Sequence, residues 1–391
     1  MSIQTGVERQ EESAARGLRG RLGGLVRRLR DDPNPLWIRE MRQASRFQAT
    51  PFALAGFTLI ATLLVGMLAG LQTASSRAPA TVGATLFHAF FSLAYFVVVL
   101  IGPALGANSI ASERDGRTWE ALLLTGLRPE VITRGKFLGA FTSIAMYVVA
   151  LAPVSALPFI FGGVTPFEVL IAFVFLVLLA LLAVAFGLAT SARMESQRGA
   201  VVITLLAAVP IGGVLFSMFG LGGSSFAHSL WNGVRRGAPI WLPSAYGVAP
   251  FGLEFVLFLV LLPAACLGLP TWLLYEVTLA NLTSVTEDRS FGLKRWHLVT
   301  SVALLALGCT LGAWHEADYP AERFGNLSLL LLVHALVATI MFSNETLGPS
   351  RRVERMLAGA GRLRRWLAPG VVPTVRLLRL TLSFTTVLVT A

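Results

Sequence analysis

Residues 108–136 read NSIASERDGRTWEALLLTGLRPEVITRGK, a polar stretch set between two long apolar runs, residues 84–107 and 137–161. A helix needs roughly 17–25 mostly apolar residues to cross a bilayer, and both runs meet that length. The polar stretch therefore joins two membrane spans. Its own pattern is too regular for a plain loop. Ser112 and Asp115 have capping-box spacing, Gly116 permits a turn, and residues 118–124 predict a short helix with Trp119, Leu122 and Leu123 on one side. Thr125 and Gly126 mark a second turn, and Pro129 is placed to start the helix that enters the next span.

Working outward, the same count gives eight full apolar runs, at residues 52–71, 84–107, 137–161, 166–190, 199–219, 253–279, 298–314 and 327–344. A partial run follows from residue 375. Only twelve residues follow Arg379, about 18 Å of helix, which reads either as a C-terminally truncated span, the favoured reading, or as a tail lying at the interface. Composition agrees with this architecture. Of the 391 residues 55% are hydrophobic and 14% charged, which excludes disordered, nucleic-acid-binding and disulfide-framework classes despite a net charge of +11. Cys266 and Cys309 sit in apolar runs and read as small core residues. The 30 Arg against 2 Lys, Lys136 and Lys294, read as compositional bias rather than chemistry.

Arginine and lysine also orient the chain. With the N-terminus in the cytoplasm, 28 of the 32 basic residues fall on that side and only Arg77, Arg235, Arg236 and Arg323 on the other. Residues 1–50 are polar and carry no signal-peptide pattern. Residues 18–30 have the two-faced pattern of a helix lying on an anionic membrane surface. Asn34 reads as the N-cap, with Pro35 at the first position, of an amphipathic helix that sets Leu36, Trp37, Ile38 and Met41 against Arg39, Glu40 and Arg42.

On residues alone, the 108–136 insertion is either a solvated loop resting on the membrane interface or a docking element gripped by a groove on a soluble partner. The stretch from Glu113 to Leu124, with Gly135-Lys136 at the entry to the next span, resembles the loop between the second and third helices of type-2 ABC transporter permeases. The stretch NPLWIREMRQASRF from Asn34 resembles that family's connecting helix. The resemblance covers roughly residues 34–280.

It implies an all-α, polytopic integral membrane protein of about 8–9 transmembrane helices, with a cytoplasmic coupling helix and an N-terminal interfacial connecting helix. Residues 1–50 would be cytoplasmic amphipathic and connecting helices. Residues 51–281 would be a six-helix permease domain with the coupling helix at 108–136, and residues 282–391 additional spans. The function implied is that of a transmembrane permease subunit of an ATP-driven ABC exporter. Glu113, Arg114, Asp115, Gly116, Thr118, Trp119, Leu122 and Leu123 would couple it to a separate ATPase subunit, with Trp37, Arg39, Glu40 and Arg42 on the connecting helix. The nearest look-alike of a phosphate-binding loop, Gly126 to Lys136, has eight residues between its glycines and Phe137 after the lysine. The chain is thus expected to be no enzyme and to hold no cofactor, ATP being bound by the partner. Further expected partners are a second permease, in a homo- or heterodimer, and membrane lipids, with no nucleic acid. The place is the inner (plasma) membrane.

The rival readings are a secondary transporter and an integral membrane enzyme acting on lipid. Both want ionisable groups inside the spans, where only His88 and His334 fall, both read mainly as neutral packing residues. Glu254 lies at the outer end of the sixth run, and Glu276 and Glu345 near inner ends. Residues 220–250 read equally as a re-entrant gate or an ordinary loop with interfacial aromatics. The acidic group Glu316, Asp318 and Glu322 adjoins Arg323 and is not read as a metal site, while residues 351–365 read as a basic membrane anchor.

Overall fold

The computed structural model describes residues 34–46, 49–74, 78–223, 231, 249–284, 286–314, 320–343 and 345–390. The amphipathic segment at 18–30, the acidic pair Glu316 and Asp318 and nearly all of the 220–250 segment lie outside the described residues. Fourteen α-helices and no strand are formed among them. We number them α1 Pro35–Arg46, α2 Ala49–Ala74, α3 Pro79–Asp115, α4 Trp119–Leu124, α5 Pro129–Ala150, α6 Leu157–Phe161, α7 Pro166–Ser191, α8 Gln197–Ser217, α9 Leu262–Leu282, α10 Phe291–Trp314, α11 Pro320–Phe342, α12 Arg351–Ala358, α13 Arg362–Trp366 and α14 Val371–Thr390. The fold is all-α. All nine apolar runs are helical, and α3, α7, α8 and α9, the last two with adjoining π-helical turns, are long and apolar enough to cross a membrane.

The third run departs from a simple span. After α5 the chain makes a 3-10 turn, Val154–Ala156, and continues as α6, with a bend of 40° between the two pieces. Proline explains the break: Pro153 and Pro158 have no N–H to donate, and a proline ring inside a helix collides with the carbonyl four residues back. Two π-helical turns, Met218–Gly222 after α8 and Phe255–Leu261 before α9, border the segment outside the described residues.

The bundle is built around α3. Phe87, Phe90, Phe91 and Tyr95 are fully buried along it, with Phe91 against Phe175 of α7 and the Tyr95 hydroxyl donating to the Gly212 carbonyl of α8 at 2.8 Å. Small residues let α3 and α7 touch backbone to backbone. A Cβ on Gly106 would meet the Val184 carbonyl oxygen, and one on Gly187 would strike the Pro103 carbonyl oxygen. One turn farther on, the buried Ser191 Oγ accepts from the amides of Ile110 and Ala111, at 3.1 and 2.8 Å, and pins the two helix ends together.

The C-terminal helices attach through α9 and α10. Trp296 Nε1 donates to the Leu269 carbonyl at 2.8 Å, and Arg295 pairs with Glu276 at 3.1 Å. Inside this group His297 and His334 stack with ring centroids 4.6 Å apart, and Ser301 Oγ lies 3.1 Å from His334 Nε2. Lys294 is fully buried and donates to Glu345 at 2.9 Å and to the Ala368 carbonyl at 2.7 Å. Glu345 also accepts from the Gly370 amide and the Thr374 hydroxyl, so one carboxylate joins α10 to the start of α14.

Candidate functional site

At the end of the bundle where α3 stops and α5 starts, α1 lies against α5 and α4 fills the corner between them. Asn34 makes both attachments of the α1 start. Its Oδ1 accepts from the Leu36 amide at 3.0 Å, the expected N-cap, and its Nδ2 donates to the Val131 carbonyl of α5 at 2.8 Å. Gly135 and Gly139 then form a GxxxG stripe on which α1 rests. A Cβ on Gly135 would sit 2.7 Å from Leu36 Cβ, and one on Gly139 2.8 Å from Glu40 Cβ. Trp37 Nε1 donates to Thr142 Oγ1 at 3.1 Å one turn along. Arg42 is exposed on the same helix.

That close approach brings four charges together. Lys136 Nζ donates to Glu40 Oε1 at 2.6 Å and to Glu113 Oε1 at 2.7 Å, and Arg39 reaches the same Glu113 oxygen at 2.9 Å. The cluster is neutral, two cations against two carboxylates. The Lys136 side chain is 2% exposed and that of Glu113 7%, so the inner pair is held away from water, while Arg39 at 43% closes it at the surface. Buried charges persist only when paired and hydrogen-bonded in this way. The other Oε of Glu113 is buried without a hydrogen-bond partner.

From Glu113 the chain turns into α4. Here the structure corrects two local expectations. Ser112 and Asp115 form no capping box, because α3 runs unbroken through both to Asp115. The helix ends instead in a Schellman arrangement: the Thr118 amide bonds the Glu113 carbonyl at 2.9 Å and the Arg117 amide the Arg114 carbonyl at 3.1 Å. The left-handed residue this needs is Arg117, at φ 56, while Gly116 has an ordinary φ of −77. The second turn matches expectation, with Gly126 at φ 71, and α5 starts at Pro129.

The face of α4 also differs from the sequence reading. Leu122 is buried in a cluster with Leu36 and Ile132, with Trp119, Leu127 and Leu282 packed around it. Trp119 is half-buried beneath the Arg114 guanidinium, 5.3 Å from its ring centroid, and Arg114 in turn donates to the Met194 carbonyl at 3.2 Å. Neither side chain is the exposed anchor that the spacing suggested. Leu123 is 49% exposed, Leu124 88%, and Glu120 and Asp115 are exposed beside them. The reason is periodicity: in a helix, positions 119 and 122 share one face and positions 120, 123 and 124 the other. The apolar cluster takes the first face.

Sequence reading found the Asn34 cap but not its bond to Val131, gave Gly139 no role, and gave Gly135, Lys136 and Leu124 none beyond their place in the stretch that carries the resemblance. One signal was present. The chain has only two lysines among 32 basic residues, and both, Lys136 and Lys294, are buried in carboxylate pairs. A compact ammonium on a flexible stem fits a slot between closely packed helices where a guanidinium fork does not. The lysines are therefore placed by chemistry, and compositional bias describes only the arginines.

Helices of membrane-crossing length, a bundle built on α3, and a capped surface helix locked by buried charges onto a short turn-bounded helix define a class: a multi-pass, all-α membrane protein. Residues 71–248 match the family model described as ABC-2 family transporter protein, a range from the end of α2 past α8 that includes Glu113, Lys136 and all of α4. In that stretch the chain is similar to the ABC-2 family transporter proteins. No curated protein matches the sequence. The helix α1 and everything from α9 onward lie outside the matched range.

Proposed function

We propose that this chain is the membrane subunit of an ATP-driven exporter, that a separate ATPase subunit docks on α4, and that two permease subunits assemble around the transport path. The end of the bundle that bears α1 and α4 faces the cytoplasm, in line with the 28 basic residues on that side. ATP is bound by the partner, and this chain converts closure of the ATPase into helix motion.

One observation carries the reading. Helix α4 is rooted inward by Trp119 and Leu122 and continuous with Glu113, while it offers Glu120, Leu123 and Leu124 to a partner. A push on α4 would therefore reach Glu113 and, through Lys136, both α5 and the surface helix α1, rather than flex a loose loop. For that push to shift the permease between states, the ATPase must bind them with different affinities.

The deciding experiment is co-expression with the ATPase subunit and capture through a tag on the permease. Leu124→Asp is expected to lose the ATPase and its stimulated hydrolysis while folding normally, because Leu124 is almost fully exposed. Retention of both in Leu124→Asp and in Leu123→Asp would overturn the docking assignment. Accumulation of cargo in inside-out vesicles on addition of ATP tests the outward direction.

A further inference from the structure

Between the ends of α7, α9 and α11 and the start of α10, on the same side of the bundle as α1 and α4, lies a cavity of about 340 Å³. Its polar wall holds two guanidinium groups, Arg193 and Arg289. No carboxylate pairs with either among the described residues, and Arg289 is oriented by a bond from its Nε to the Ala280 carbonyl at 2.8 Å. The two carboxylates in the same wall are already engaged, Glu345 by Lys294 at 2.9 Å and Glu287 by Arg352 at 3.4 Å. Two further lining side chains, Asn281 and Ser290, carry buried donor atoms, Nδ2 and Oγ, that have no partner among the described residues. Buried polar groups without partners are rare in folded proteins and call for an explanation. The opposite wall is apolar, formed by Val277, Leu293, Met341 and Phe342.

We propose that this cavity binds the phosphate of an anionic phospholipid from the adjoining leaflet, held by Arg193 and Arg289, with Asn281 and Ser290 donating hydrogen bonds. Guanidinium groups match phosphate oxygens in charge and in fork geometry. The site lies where helices end, which is the headgroup level, and basic pockets between spans on the positive side are suited to such headgroups. The apolar wall receives the glycerol and the first methylenes of the chains. A bound lipid would then bridge α7 and α9 to α10 and α11, tying the C-terminal helices to the permease bundle. The assignment is independent of which partner α4 engages.

The test uses the purified full chain, with thermal unfolding and lipid retention in native mass spectrometry as readouts. Phosphatidylglycerol, phosphatidylcholine and inorganic phosphate are compared at equal phosphate concentration. Phosphatidylglycerol is expected to raise the unfolding midpoint and stay bound, and the other two are not. Arg193→Gln alters an exposed side chain with no partner to lose, so it is expected to fold and to bind phosphatidylglycerol about tenfold more weakly. Equal stabilisation by phosphatidylcholine, or unchanged phosphatidylglycerol binding in Arg193→Gln, would overturn the proposal. The same shift from inorganic phosphate alone would overturn the lipid and leave a free-anion site.

Discussion

Lys136 Nζ lies 2.7 Å from Glu113 Oε1, and this bond closes the 23-residue excursion that contains α4. The two residues stand at the end of one long helix and near the start of the next, so the excursion is anchored at its base by a buried charge pair. Because Lys136 also holds Glu40 and Glu113 also holds Arg39, the same bond fastens α1.

Lys136→Met removes the buried cation, leaving Glu113 held only by the half-exposed Arg39 and Glu40 without its ammonium partner. Breaking a buried pair from one side costs about 3–5 kcal/mol. The expected result is a lower thermal unfolding midpoint in detergent, largely recovered in the neutral combination Lys136→Met, Glu40→Gln, which keeps the Arg39–Glu113 pair. A midpoint unchanged in the single variant would show that the pair is not what holds α1 and α4.

Gly139→Leu places a side chain where Glu40 now lies, and helix backbones cannot yield by that amount without separating. Helix α1 should leave α5 while the spans persist. Trypsin cleavage at Arg39 reports it: faster in the variant, slow in the parent protein.

Leu122 and Leu124 should part company when changed. Leu122→Ala opens the cluster with Leu36 and Ile132 and costs about 2–5 kcal/mol at a fully buried site. Leu124→Ala should stay within about 0.5 kcal/mol, as exposed substitutions do. Comparing unfolding midpoints of the two variants checks the assignment of inner and outer faces.

Arg117 holds a left-handed conformation that glycine adopts without a Cβ penalty. Arg117→Gly should stabilise the α3 terminus by about 0.5–1 kcal/mol, visible as slower hydrogen exchange at the Thr118 amide, which bonds back to Glu113. Faster exchange there would contradict the Schellman reading.

Asp288 caps α10 through the Phe291 amide at 3.1 Å. Burial outweighs that bond, the Ser290 amide and the nearby Lys294 and Arg364, and pushes the carboxyl above its usual range. A raised folded value means that the native state holds the proton more tightly than the unfolded chain. Stability from this group is therefore fully present below the ordinary carboxyl pKa and is lost as pH climbs through the raised one. As pH rises from the ordinary carboxyl range upward, the Asp288→Asn variant should show a flatter stability profile than the parent protein.

The local elements were legible in the sequence because their rules act over a few residues. Asn34-Pro35 starts α1, Thr125-Gly126 ends α4, Pro129 starts α5, and the length of the apolar runs sets the all-α membrane fold. The end of α3 was less legible: the left-handed residue is Arg117 rather than its glycine neighbour, because the helix end is fixed by where the Glu113 carbonyl is satisfied. What the tertiary structure alone decided is which residues meet. Glu40 and Lys136 are 96 residues apart and Arg39 and Glu113 are 74 apart, and no spacing rule links them. They pair because Gly135 and Gly139 let α1 approach α5 until charges must share one dry slot, and the same packing draws Leu122 inward and leaves Leu124 outside. Hydrophobic length and capping are short-range and sit in the chain itself. Burial of a charge, and the outward face of a six-residue helix, exist only once distant helices are in contact.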